Sequence, residues 1–142
     1  IDAYHESMEL MKSLNDVIGE AKILNNLAQI NIKQNEYDKA RERIKKSLEI
    51  YRESGFKRGE AESLGNLAQI TYFAEQNHEL AIPYLTDSLE IDRKIGNKLG
   101  QAKTLNNLSF VYSELGNKIE AEKYQRYRDE ILEQIGLGVE DI

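Results

Sequence analysis

Three asparagines, Asn26, Asn66 and Asn107, recur at one place in a repeating pattern, and they are its most chemically capable members. An amide side chain offers both a donor and an acceptor, so a row of them can pair with the backbone of an extended ligand regardless of its side chains. The same amides can instead bridge neighbouring helices of their own chain, and the sequence leaves both roles open. Catalysis has less to work with. The absence of Cys removes thiolate nucleophiles, disulfides and cysteine metal sites together. His5 and His78 lie far apart in sequence, and neither has a second His or a carboxylate cluster at ligand spacing, so no metal site is expected. There is no Gly-rich phosphate loop and no nucleophile elbow. The carboxylates show no isolated apolar setting that would tune one as a general acid. These residues predict a protein that is not an enzyme and uses no cofactor.

Composition narrows the class further. The chain has 142 residues, 40% of them hydrophobic and 31% charged, which fits one folded, soluble domain and argues against disorder. Its formal charge of −6, from 25 acidic and 19 basic residues, disfavours nucleic acid as a partner. No apolar run approaches the roughly 20 residues that span a bilayer, and nothing at the N-terminus reads as a signal peptide. The expectation is a cytoplasmic location and no membrane contact. Because the chain opens with Ile1, it reads as a piece of a longer protein.

The elements that would position the asparagines are visible as repeats. Gly19-Glu-Ala-Lys-Ile-Leu-Asn-Asn-Leu-Ala28, Gly59-Glu-Ala-Glu-Ser-Leu-Gly-Asn-Leu-Ala68 and Gly100-Gln-Ala-Lys-Thr-Leu-Asn-Asn-Leu-Ser109 superimpose, with spacings of 40 and 41 residues. A second register, Ser47-Leu-Glu-Ile50 and Ser88-Leu-Glu-Ile91, falls between them. A fixed period of this size is the signature of a solenoid whose units bury their apolar faces against each other. Each unit reads as two helices. Ala21, Leu24, Leu27 and Ala28 form an apolar stripe on the first, and Ala40, Ile44, Ser47, Leu48 and Tyr51 form one on the second. The first helices end near Asn35 and Gly116, and the second near Asn15, Gly55, Gly96 and Gly136, all residue types that tolerate positive φ. Gly19, Gly59 and Gly100 open the first helices, where a small residue permits close contact. One extra residue between Tyr72 and Ala81 predicts a longer hairpin or a bulged helix end, and Pro83 fits only in the first turn of its helix.

The division is residues 1–18, the second helix of a truncated upstream repeat; repeats at 19–58, 59–99 and 100–136; and a tail, 137–142. In the last second helix Gln125, Arg128 and Asp129 replace the apolar pattern, so the array is expected to stop near Gly136.

The pattern resembles the tetratricopeptide repeat in its longer form of about 40 residues. The motif positions match Leu24, Leu27, Ala28, Ala40 and Ser47; then Leu64, Leu67, Ala68, Ala81 and Ser88; then Leu105, Leu108, Ser109 and Ala121. The family's Tyr in the first helix appears only as Tyr112, with Asn31 and Thr71 at the equivalent positions, and Arg128 replaces a small residue. The resemblance implies an all-α fold, a right-handed α-solenoid superhelix of antiparallel helix pairs. Repeats of this longer form occur in kinesin light chains, spindle-orientation scaffolds, and bacterial signalling and transcription regulators.

In proteins of this kind a groove lined by the first helices binds a peptide or helix. The equivalent polar stripes here are Lys22, Asn26, Gln29 and Lys33; Glu62, Asn66, Gln69 and Phe73; and Lys103, Asn107, Phe110 and Glu114. Phe73 and Phe110 would anchor an apolar side chain of a partner, or else turn aside onto the next helix. The chaperone-tail clamp of the family maps onto Asn25, Gln29, Asn66, Lys103 and Asn107, where only Asn66 and Lys103 fit, so that ligand is disfavoured. Lys39, Arg41, Arg43, Lys45 and Lys46 read as a solvated helix face. The sequon Asn107-Leu108-Ser109 falls mid-helix and reads as chance.

The resulting expectation is a non-catalytic scaffold that binds a protein or peptide ligand. Two alternatives stand beside it: a regulatory or sensor domain of a larger bacterial signalling or transcription protein, and a module that self-associates through Tyr4, Met8, Met11 and Leu14.

Overall fold

The computed structural model describes residues 2–142, the side chains of Asp2, Tyr4 and Met11 excepted. These residues form six α-helices, α1 (Asp2–Lys33), α2 (Tyr37–Ser54), α3 (Lys57–Phe73), α4 (His78–Ile95), α5 (Lys98–Glu114) and α6 (Lys118–Ile135), then a 3-10 turn at Val139–Asp141. No strand occurs among the described residues. The chain divides into two compact units, residues 1–63 and 64–142.

Hairpin turns rest on the residues that can take a left-handed backbone. Asn35 (φ 59°), Gly55 (71°), Gly96 (73°), Gly116 (78°) and Gly136 (75°) all do so, and at Gly55 the paired bonds Gly55 N–H to the Arg52 carbonyl and Phe56 N–H to the Tyr51 carbonyl close the helix. At the opposite ends Asn77, Asn97 and Asn117 accept hydrogen bonds from the amides of Leu80, Gly100 and Glu120, capping α4, α5 and α6.

In the first unit α2 packs on α1 by burying Ala40, Ile44, Leu48 and Tyr51 with Ala21 and Ala28. Ser47 is the small residue at this contact, and its hydroxyl donates to the Ala21 carbonyl at 2.9 Å. Gly59 lies so close to the Tyr51 ring that a Cβ there would collide with it. In the second unit Ala68 and Tyr72 of α3, Ala81, Leu85 and Leu89 of α4, and Leu105, Leu108 and Val111 of α5 form one core.

The position that the family gives to Tyr is filled in three different ways, in repeat 2 by Thr71, whose hydroxyl donates to the Leu67 carbonyl at 2.7 Å. In repeat 1 Asn31 accepts a bond from Arg43 at 2.7 Å and donates to Glu36 at 3.3 Å. In repeat 3 Tyr112 stacks on Tyr124, the residue equivalent to Arg43, with centroids 5.5 Å apart and planes 15° apart. Asn31 and Thr71 both find hydrogen-bond partners, so the two missing tyrosines leave no orphaned polar group among the described residues.

Four sequence expectations are corrected. The helix end at Asn15 is absent, because α1 runs unbroken from Asp2 to Lys33. Asn15 and Asp16 each cost a helix interior at most about 0.7 kcal/mol, no glycine stands there to take a positive φ, and residues 5–10 are exposed. Gly19 accordingly sits mid-helix with open space around it and makes no close contact. Pro83 falls in the second turn of α4, past the first. It and Glu79, whose carbonyl loses its helical donor, are both exposed, so water can replace the bond. Leu27 is 37% exposed, whereas the equivalent Leu67 and Leu108 are 2% and 1% exposed. The longer link after α3 is present, with Gln76 (φ 55°) supplying its left-handed residue.

Candidate functional site

Within the first unit the proposed stripe lies on α1 and the start of α3. Lys22, Asn26, Lys33 and Glu62 are exposed and Gln29 is half-buried. Lys22 reaches over the Phe56 ring, its Nζ 5.8 Å from the centroid, and Glu62 pairs with Arg58 at 3.7 Å.

The two asparagines of the Asn25-Asn26 doublet divide the roles that the sequence left open. Asn25 is buried, and its Nδ2 donates to the Ser63 hydroxyl at 3.2 Å, linking α1 to α3. Asn26, one residue on and turned by about 100°, is exposed and has no side-chain partner among the described residues.

The second unit repeats the division. Asn106 accepts from the Arg128 guanidinium at 2.6 Å, while half-buried Asn107 has no side-chain partner among the described residues. Asn66 and Gln69 on α3 are half-buried, and Lys103 on α5 is exposed. Phe73, at the end of α3, and Phe110, on α5, are brought together with their ring centroids 6.0 Å apart. Tyr72 lies beside both, 4.4 Å from Phe73 and 5.7 Å from Phe110. Tyr72 is buried, and that burial raises the pKa of its hydroxyl. Phe73 and Phe110 are 55% and 41% exposed. The packing of Phe73 onto a neighbour and its display to solvent both hold, since its neighbour is the other exposed ring.

Among the described residues no cluster of His, Cys, Asp or Glu could hold a metal ion, and no helix is long and apolar enough to cross a membrane. Two residues of the basic run on α2 are engaged locally, Lys39 on Glu36 at 2.8 Å and Arg43 on Asn31 at 2.7 Å. Hydrogen bonds from Lys39 and then Asn31 hold the Glu36 carboxyl below its usual pKa. Sequence reasoning missed the inward partners Asn25 and Asn106 and the caps Asn77, Asn97 and Asn117. The doublets and the placement of Asn just before α4, α5 and α6 were the available signals.

Each unit offers an amide with no side-chain partner among the described residues, Asn26 in the first and Asn107 in the second, and the second also displays a pair of rings, on helix pairs that recur at spacings of 40 and 41 residues. The tetratricopeptide repeat family matches residues 1–53, 19–94 and 59–126. The chain belongs to the tetratricopeptide repeat family. Repeats of this family generally mediate protein–protein interaction and are typically non-catalytic. No curated protein matches the chain in sequence. Among solved structures it is similar to the crystal structure of BtubC (BKLC) from P. vanneervenii, with a TM-score of 0.72 and 24% identity, over 80% of this chain and 46% of that one. The tetratricopeptide chain therefore spans about half the length of BtubC, and at this identity the likeness extends to the fold.

Proposed function

We propose that this chain is a non-catalytic, cytoplasmic interaction module that holds a segment of a partner protein, an extended peptide or a helix, against the polar stripes of its first helices. The observation that carries this reading is the Phe73–Phe110 pair, two large apolar side chains left open to solvent side by side. Single exposed apolar residues are ordinary, but adjacent aromatics on one face mark contact surfaces. In this reading a partner's apolar side chain settles on the two rings, with buried Tyr72 beside them as support. The unpartnered amides of Asn26 and Asn107, with Asn66, bond the partner's backbone. Lys22, Gln29, Lys33, Glu62, Gln69 and Lys103 set the polar rim. Selection of displayed random peptides on the chain is expected to enrich sequences with a fixed aromatic or large aliphatic residue flanked by variable positions. Enrichment of purely charged sequences, or of none, contradicts the reading.

A second reading, self-association, is favoured by the first half of α1. Leu10 is 73% exposed, and Met8, Leu14 and Val17 are exposed with it; Tyr4 and Met11 belong to the same expectation but their side chains lie outside the described residues. Light scattering would show mass rising with concentration, abolished by Leu10→Glu with Leu14→Glu. A constant monomer mass removes this reading.

A further inference from the structure

The second unit has another recess, on the side of α5 away from the stripe. At about 100° per residue, Lys103, Asn107 and Phe110 lie roughly 100–160° around that helix from Leu108. Leu108 and Leu89 of α4, both buried, floor a cavity of about 600 Å³ between α4 and α6, within the range of roughly 300–1,000 Å³ typical of small-ligand sites. Its walls come from Glu90 and Arg93 on one helix and Lys123, Tyr124 and Tyr127 on the other.

The charges around it do not cancel. Glu90 is paired with Lys94 at 3.3 Å, and Lys123 with Glu120 at 2.7 Å. The exposed Arg93 guanidinium has no side-chain partner among the described residues. The aromatic wall is held in place before any ligand arrives. Tyr124 stacks on Tyr112 and carries the Lys123 Nζ 4.9 Å from its centroid, while Tyr127 meets its edge at 6.3 Å and 80°.

We propose that this cavity is a second ligand site, separate from the peptide-binding face, which takes a single carboxylate carried on an aromatic or aliphatic body. The planar fork of Arg93 matches a carboxylate with two parallel hydrogen bonds. Leu89, Leu108 and Tyr127 cover the apolar body, whose burial contributes about 25 cal/mol per Å² removed from water. A multiply charged phosphate fits less well, since one uncompensated cation and an apolar floor leave its remaining charge unmet. The carboxylate can belong to a free acid or to the C-terminal residue of a peptide.

The test is an amide-resolved NMR titration of the full chain with 3-phenylpropionate and with an acetylated tripeptide ending in Phe. Each is paired with its uncharged amide. Saturable shifts are expected within residues 86–93 and 123–127, about tenfold weaker for the amides and for Arg93→Gln, and unchanged in a Phe73→Ser, Phe110→Ser variant. Tighter binding of the tripeptide assigns the site to a peptide C-terminus; tighter binding of phenylpropionate assigns it to a free acid. No saturable shift from either acid at millimolar concentration overturns the proposal, as does equal binding of acid and amide on the unaltered chain. The latter comparison needs no variant to fold.

Discussion

Neighbouring residues of one type carry different loads here, and the difference is measurable. Asn25→Ala removes a buried bond to Ser63 and is expected to cost about 1–3 kcal/mol in urea unfolding, because the Ser63 hydroxyl is left buried without its partner. Asn26→Ala, on the exposed side, should change stability by no more than about 0.5 kcal/mol. The glycines divide in the same way. Gly59→Ala drives a methyl into the Tyr51 ring, at an expected cost of about 1–3 kcal/mol. Gly19→Ala meets open space mid-helix and should stabilise by up to about 1 kcal/mol. Equal effects at 59 and 19 in thermal unfolding would show that the ring contact is not a constraint. From sequence these glycines were equivalent, and although Asn26 and Asn107 were singled out on the stripes, the inward bonds of Asn25 and Asn106 were not foreseen. A repeat pattern reports which positions are alike, while the neighbour that makes one of them critical comes from another helix.

At the scale of the helix, most of the architecture was legible. Period-3.6 apolar stripes gave the helices, and glycine or asparagine at the turns gave their ends, since few other residues enter the left-handed region without strain. The reading failed where it extended the repeat without its physical cause. Asn15 aligns with Gly55 and Gly96, but it is not glycine and its neighbours are exposed, so α1 continues through it. Pro83 was assigned to a first turn because that position carries no penalty, yet solvent exposure makes the second turn tolerable. Caps are testable element by element. Asn117 serves α6 by accepting from the Glu120 amide, so Asn117→Ala should cost about 1 kcal/mol, with Asn117→Ser largely restoring it. Loss of stability equal in both variants would mean that the cap is not the source.

Over the whole molecule, burial of tyrosine sets an alkaline limit. Burial raises the hydroxyl pKa of Tyr51, Tyr72 and Tyr112 above the ordinary value of about 10, with the nearby Glu62 adding for Tyr51 and Tyr124 for Tyr112. A raised pKa in the folded state means that the unfolded chain ionises first. The stability these groups contribute is full below pH about 10 and is lost as pH rises through their folded values. The unfolding midpoint in urea should therefore fall steeply above pH about 10, and less so in Tyr72→Phe. The proposed contact face was only partly legible: the sequence marked Phe73 and Phe110 as unusual on a polar stripe, but not that the two rings meet. That meeting is what the functional account rests on. The most direct test is to titrate a selected, fluorescently labelled peptide into the chain and into the Phe73→Ser, Phe110→Ser variant, after circular dichroism shows equal helicity. The account predicts affinity at least about tenfold weaker for the variant, as for loss of a central aromatic anchor. Equal affinity would contradict it and place the working surface elsewhere.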